Sequence, residues 1–89
     1  MIEYKDVMPV GFLKKLPFYG SYHGMRYRLE IKEDGMQVSV WPGPLGFESV
    51  DPSLVEEKTF SPDEDGRRAA VDYLNEYYNS GKRVWKEGL

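Results

Sequence analysis

The chain reads as an α+β fold: a small two-layer domain, with an antiparallel sheet of about three strands packed by one main C-terminal helix. Three observations predict it. Residues 62–80 carry a start signal, an apolar stripe and a stop signal for one helix. Residues 25–41 alternate apolar and polar side chains around an Asp-Gly turn. The length, 89 residues without internal repeats or linkers, is that of a single globular domain.

Residues 1–24 form an N-terminal arm or loop. Pro9 and Pro17 bracket residues 10–16, so any helix there is short. Residues 18–24 mix aromatics with glycines and read as a packed loop or the bent start of a strand. Antiparallel strands follow over residues 25–60. Met25, Tyr27, Leu29 and Ile31 share one face, and Arg26, Arg28, Glu30 and Lys32 share the other. Asp34-Gly35 is a favoured two-residue turn, because both central positions need positive φ. That turn sets Ile31 opposite Val38 and Leu29 opposite Val40 inside, and Arg28 opposite Trp41 outside. Pro42 and Pro44 cannot donate to a ladder and end the strand. Residues 55–60 fit a third strand, with Val55 and Phe60 turned inward.

The capped helix occupies residues 61–81. Ser61 is the expected N-cap, Pro62 the first helical residue, and Glu64 the second half of a capping box. Asp63, Glu64 and Asp65 set negative charge at the positive end of the helix dipole. Ala70, Val71, Leu74, Tyr77 and Tyr78 fall on one stripe. Gly81 sits where a left-handed stop is wanted, with Lys82 and Arg83 beyond it. Gly66 costs about 1 kcal/mol against alanine inside a helix, and close approach of another backbone would account for it. In the tail, residues 82–89, Val84 and Trp85 are expected to fold back onto an apolar surface.

Composition removes several function classes. The absence of cysteine excludes disulfides, thiolate zinc sites and cysteine nucleophiles. No apolar run approaches the roughly 20 residues that span a bilayer. Residues 1–6 lack the basic start and apolar run of a signal peptide, so a cytoplasmic location is expected. The net charge of −3 does not favour general nucleic-acid binding. Charge is uneven, however, and residues 48–65 hold seven acidic groups against one lysine. Glu48, Asp51, Glu56 and Glu57 form a candidate acidic patch for a basic partner. Solvated loop charges plus helix-dipole charges are the plainer reading.

No catalytic constellation stands out. His23 is the single histidine, and its spacing from Ser21 does not make a triad, which is defined by geometry. Ser61, Asp63, Asp65, Gly66 and Asp72 mimic part of a calcium-loop spacing, but the first and last ligands are wrong, and the helix signals demand regular backbone there. A phosphate-cradling loop, a nucleophile elbow and a dinucleotide fingerprint are all missing. No metal and no cofactor is expected.

The aromatic content is the most suggestive feature. Thirteen aromatic residues, 15% of the chain, include Tyr19, Tyr22, Tyr27 and Trp41 near one end of the hairpin. Arg26, Arg28 and Trp41 on the outer face, with Tyr22 and Tyr27, form a candidate partner-binding surface, because Trp, Tyr and Arg dominate binding hot spots. The same groups would suit stacking on single-stranded nucleic acid. A tyrosine-rich rim over a small core is the plain alternative.

Gly24-Met25-Arg26-Tyr27-Arg28, the run from Val40 to Glu48, and Asp72-Tyr73-Leu74-Asn75-Glu76 resemble a group of short bacterial proteins from gut bacteria and their mobile elements. The resemblance spans roughly residues 18–80. Its motifs carry no assigned chemistry, so no site residue transfers; it implies an accessory protein that acts through contact. The functional expectation is therefore a small non-enzymatic protein-binding module, its protein partner unidentified. Two alternatives stand beside it: a phage-type stoichiometric inhibitor of a nucleic-acid-handling protein, acting through residues 48–65, and a sheet surface for single-stranded nucleic acid.

Overall fold

Among the described residues four strands form, one more than the sequence pattern suggests: β1 Phe18–Tyr22, β2 Met25–Lys32, β3 Gly35–Pro42 and β4 Glu56–Phe60. They make an antiparallel meander in the order β1-β2-β3-β4. The helices α1, a single turn at Val10–Leu13, and α2, Glu64–Asn79, accompany them. Short 3-10 turns occupy Tyr4–Asp6 and Pro52–Leu54. These elements come from a computed structural model that describes residues 1–43, 45–81, 83 and 85. The fold is α+β, a sheet with a C-terminal helix on one face.

β1 and β2 are joined by a two-residue turn at His23-Gly24, with φ of 46° and 90°. Both angles are positive, as the tight hairpin turn that follows strand twist requires. β1 escapes the alternation test because Gly20 leaves a gap in its inner row. Tyr27 of β2, directly opposite, lays its ring into that gap. A Cβ on Gly20 would come within 2.6 Å of the Tyr27 ring atom Cε1. Burial, and after it the charge of Asp6, pushes the Tyr27 hydroxyl above its ordinary pKa.

The central hairpin has the expected inner face but a different register. Lys32 pairs with Gly35, so the turn is Glu33-Asp34, and Glu33 takes the positive φ of 51°. Leu29 faces Val38, Tyr27 faces Val40, and Trp41 lies opposite Arg26 instead of Arg28. The slip is two residues, an even number, so every side chain keeps its face. Gly35 serves space and not φ: a Cβ there would sit 2.8 Å from Thr59 Cγ2 on β4.

α2 begins at Glu64, with Asp63 as N-cap. The Asp63 carboxylate accepts from the Gly66 backbone N–H at 2.8 Å, and the Ser61 hydroxyl donates to the same carboxylate at 2.8 Å. Those bonds, the Gly66 N–H first, hold the Asp63 carboxyl below its ordinary pKa. The expected cap at Ser61 is thus corrected by two residues: Ser61 supports the capping carboxylate and does not cap. Gly81, at φ 77°, is the left-handed stop.

The core lies between the inner sheet face and two covers. Ala70, Val71, Leu74 and Tyr77 of α2 are buried against Met36, Val38 and Val40, together with Met25 and Leu29. The arm supplies Ile2, Val7 and Leu13 to the same core. Trp85 stacks on Tyr78, with centroids 6.2 Å apart and planes 11° apart, and meets Tyr77 at 6.0 Å. It therefore folds back onto an apolar surface, as expected, and that surface belongs to its own chain. Val84, the other half of that expectation, lies outside the described residues.

Polar side chains of α2 clamp the arm. Asn75 accepts from the Ile2 N–H and donates to the Ile2 carbonyl, both at 2.9 Å. Arg67 donates to the carbonyls of Tyr4 and Val7 at 2.7 and 3.1 Å, while its fork pairs with Glu64. Asn75→Ala is expected to lower stability by about 1–3 kcal/mol, because Ile2 loses both partners in a half-buried setting. Urea unfolding reads the loss, and faster amide exchange at Ile2 localises it. An unchanged midpoint would show that water replaces the clamp.

Candidate functional site

The outer sheet face is the side away from α2. Strand alternation assigns to it Tyr19, Arg26, Arg28, Glu30, Trp41 and Glu57. It is not a bare solvated face. Residues 45–50 turn back over it, with Leu45 and Phe47 against Trp41, which is 1% exposed. The indole N–H donates to the Leu45 carbonyl at 2.8 Å, and the Phe47 ring lies 5.3 Å away. Ser39, on the same face, is fully buried as well.

Next to Trp41 the chain builds an arginine–aromatic cluster. The Arg28 guanidinium lies 4.7 Å from the Phe47 ring centroid and 5.5 Å from that of Tyr19. Its Nε donates to the Tyr19 hydroxyl at 3.1 Å, and its Nη2 pairs with Glu30 at 2.9 Å. Burial opposes the charge on Arg28, but the Tyr19 hydroxyl and Glu30 outweigh it and raise its pKa. Glu30 also pairs with Lys32 at 3.2 Å. Tyr19 remains 51% exposed and Leu45 50% exposed beside this cluster. The result is an amphipathic surface on which the Arg28 cation is fixed in place.

The expected contact surface is therefore partly corrected. Arg26 and Arg28 lie on the outer face. Trp41 is on that face but covered, so a partner cannot reach it. Tyr27 belongs to the inner face and the core. Tyr22 also points inward, edge-on to His23 at 4.2 Å and to Tyr78 at 4.9 Å. Phe47 was not legible as a site residue, because nothing in a proline- and glycine-rich loop says which way the loop folds. The available signal was Phe47 itself, a large apolar side chain in an otherwise turn-forming segment.

The acidic residues do not converge on one surface. Glu56 and Glu57 are neighbours on β4 and point to opposite faces. Glu57 accepts from Gln37 at 2.9 Å and from Ser39 at 3.2 Å. Asp51 caps the 3-10 turn at Pro52–Leu54, and the Ser53 N–H and hydroxyl hold its carboxyl below the ordinary pKa. Glu48 is exposed in the loop.

Other chemistry is sparse. His23 sits in the β1–β2 turn. Gly66 and Asp72, which matched a calcium-loop spacing, are in continuous helix. Among the described residues no group of three or more histidine, aspartate or glutamate side chains could hold a metal ion. An open groove of about 860 Å³ runs between residues 1–5 and α2, lined by Tyr4, Val71, Asp72, Asn75 and Asn79 among others. No described helix is long and apolar enough to cross a membrane. Comparison with protein-family models, with curated proteins and with solved structures gives no match to this chain.

Proposed function

We propose that this chain is a small non-enzymatic protein-binding module, of the accessory type its sequence resemblance implies. Its contact surface is the outer-face cluster of Tyr19, Arg28 and Phe47, with Leu45 at the rim. The observation that carries the reading is the fixed Arg28. A guanidinium already held by a tyrosine hydroxyl, a carboxylate and an aromatic face loses little freedom when a partner covers it. Exposed tyrosine beside arginine is also the composition that concentrates binding energy. Glu30 between Arg28 and Lys32 works against phosphate recognition, because a nucleic acid would have to displace it.

The test is capture by the tagged chain from a lysate of the native host, with and without nuclease, compared with Tyr19→Ala. The expected partner is a protein that survives nuclease and whose recovery falls at least about tenfold in the variant, a loss of about 1.4 kcal/mol. Tyr19→Ala removes a half-exposed side chain, so the fold is expected to persist. Recovery that vanishes with nuclease would favour the nucleic-acid reading. Recovery that survives Tyr19→Ala but fails in Glu48→Lys/Glu56→Lys would favour acidic mimicry.

A further inference from the structure

The sheet has two edges, and they differ in chemistry. β4 carries Glu56, Glu57 and Lys58, the charged side chains that keep an exposed edge from pairing with another chain. β1, Phe18-Tyr19-Gly20-Ser21-Tyr22, carries no charge. We propose that β1 pairs antiparallel with β1 of a second copy, so that two sheets join into one of eight strands.

The register follows from the hairpin. In a two-residue hairpin the closing pair, here Tyr22 and Met25, is the hydrogen-bonded one. Phe18, Gly20 and Tyr22 therefore turn their main chain toward β2. Tyr19 and Ser21 turn theirs outward. Both residues are exposed, and among the described residues neither has a backbone hydrogen bond to another element. The outward groups are self-complementary about Gly20. With Gly20 opposite its own copy on a two-fold axis, Tyr19 of each chain exchanges both backbone bonds with Ser21 of the other.

Side chains agree with this register. Gly20 adds no bulk at the axis, where the strands come closest. Tyr19 of one copy lies beside Ser21 of the other on the outer face, and Phe18 lies beside Tyr22 on the inner face. Leu16, 58% exposed and just before β1, extends the contact. The pairing is isologous and closes on itself, whereas β1 on β4 would leave free edges and grow into filaments. A five-residue strand is smaller than the roughly 800 Å² per partner of a standard interface, so the dimer is concentration-dependent. The joined sheet would carry both Tyr19–Arg28–Phe47 clusters on one side. The pairing itself does not depend on what those clusters bind.

Sedimentation equilibrium of the purified chain, from about 1 to 500 μM, tests it, since that range brackets weak interfaces. The expected result is a monomer–dimer equilibrium whose dissociation constant rises at least tenfold in Ser21→Pro. Proline there removes only an outward N–H, which an edge strand tolerates. Ser21→Lys, which keeps the N–H and adds a charge, is expected to act in the same direction should the proline variant not fold. Thr59→Pro, the matching lesion on β4, should leave the dimer intact. A monomer at every concentration overturns the proposal, as do open-ended polymers or a dimer that only Thr59→Pro breaks. A monomer that loses a captured partner on Ser21→Pro also overturns it, and gives the edge to a foreign strand.

Discussion

Gly66→Ala is expected to destabilise the chain, although glycine-to-alanine inside a helix ordinarily stabilises it by up to about 1 kcal/mol. Gly66 is buried three residues after the N-cap of α2, with ordinary helical backbone. The preceding chain doubles back so closely that a Cβ would fall inside the envelope of the Ser61 carbonyl oxygen, 2.7 Å from the carbonyl carbon and 2.8 Å from Ser61 Oγ. The obstacle is backbone and cannot swing aside. Relieving it means moving the 61–63 segment, which also carries the capping carboxylate and its supporting hydroxyl. Overpacking of this kind costs about 1–3 kcal/mol or more and so exceeds the propensity gain. In a domain of this size each kcal/mol lowers Tm by about 4–8 °C. Thermal unfolding of Gly66→Ala should therefore show a fall of several degrees. Gly11→Ala, in α1 with nothing within 4 Å of the added carbon, should show no fall. A rise in both variants would mean that Ser61 does not lie against Gly66.

The same position shows how far sequence reasoning reached. A glycine in the first turns of a helix, against propensity, signals that something sits close; it cannot say that Ser61 does. Ser61 and Asp63 are both good capping residues two positions apart, and local chemistry does not choose between them. The choice comes from which one the Gly66 N–H reaches. At the hairpin, Asp34-Gly35 matched the favoured turn, but Gly35 was needed for clearance from Thr59, and the turn moved to Glu33-Asp34. Face assignments survived because the move was even. The inner row of β2 and β3 and the stripe of α2 were readable because periodicity reports burial directly. β1 stays undecided between loop and strand start, because the ring that fills its Gly20 gap comes from another strand.

The candidate site was harder for a related reason. Alternation separates two faces of a sheet but does not say what covers the second one. Arg28 was legible as an outer-face cation. Its aromatic partners Tyr19 and Phe47 come from β1, where the residue pattern leaves packed loop and strand start open, and from residues 45–50, whose path has no periodic signal.

Trp41→Ala gives the clearest consequence. Were Trp41 an exposed contact residue, as the hairpin pattern suggests, its removal would weaken partner binding and leave the fold nearly untouched. In the structure the indole is buried under residues 45–50, bonded to the Leu45 carbonyl and packed on Phe47. Truncating a buried tryptophan costs about 3–5 kcal/mol. That is a large share of the 5–15 kcal/mol available to a typical domain. The loss should be seen in urea unfolding followed by circular dichroism, as a large drop in midpoint. Trp41→Phe keeps a ring against Phe47 but leaves the Leu45 carbonyl without its donor, so it should cost less. Any binding defect of Trp41→Ala then reports a released loop, because Phe47 and Leu45 lose the surface that holds them. Tyr19→Ala provides the contrast, with stability nearly unchanged and binding reduced. If instead Trp41→Ala left the midpoint where it was, residues 45–50 would not be seated on the outer face, and the cluster built from Phe47 and Arg28 would fall with them.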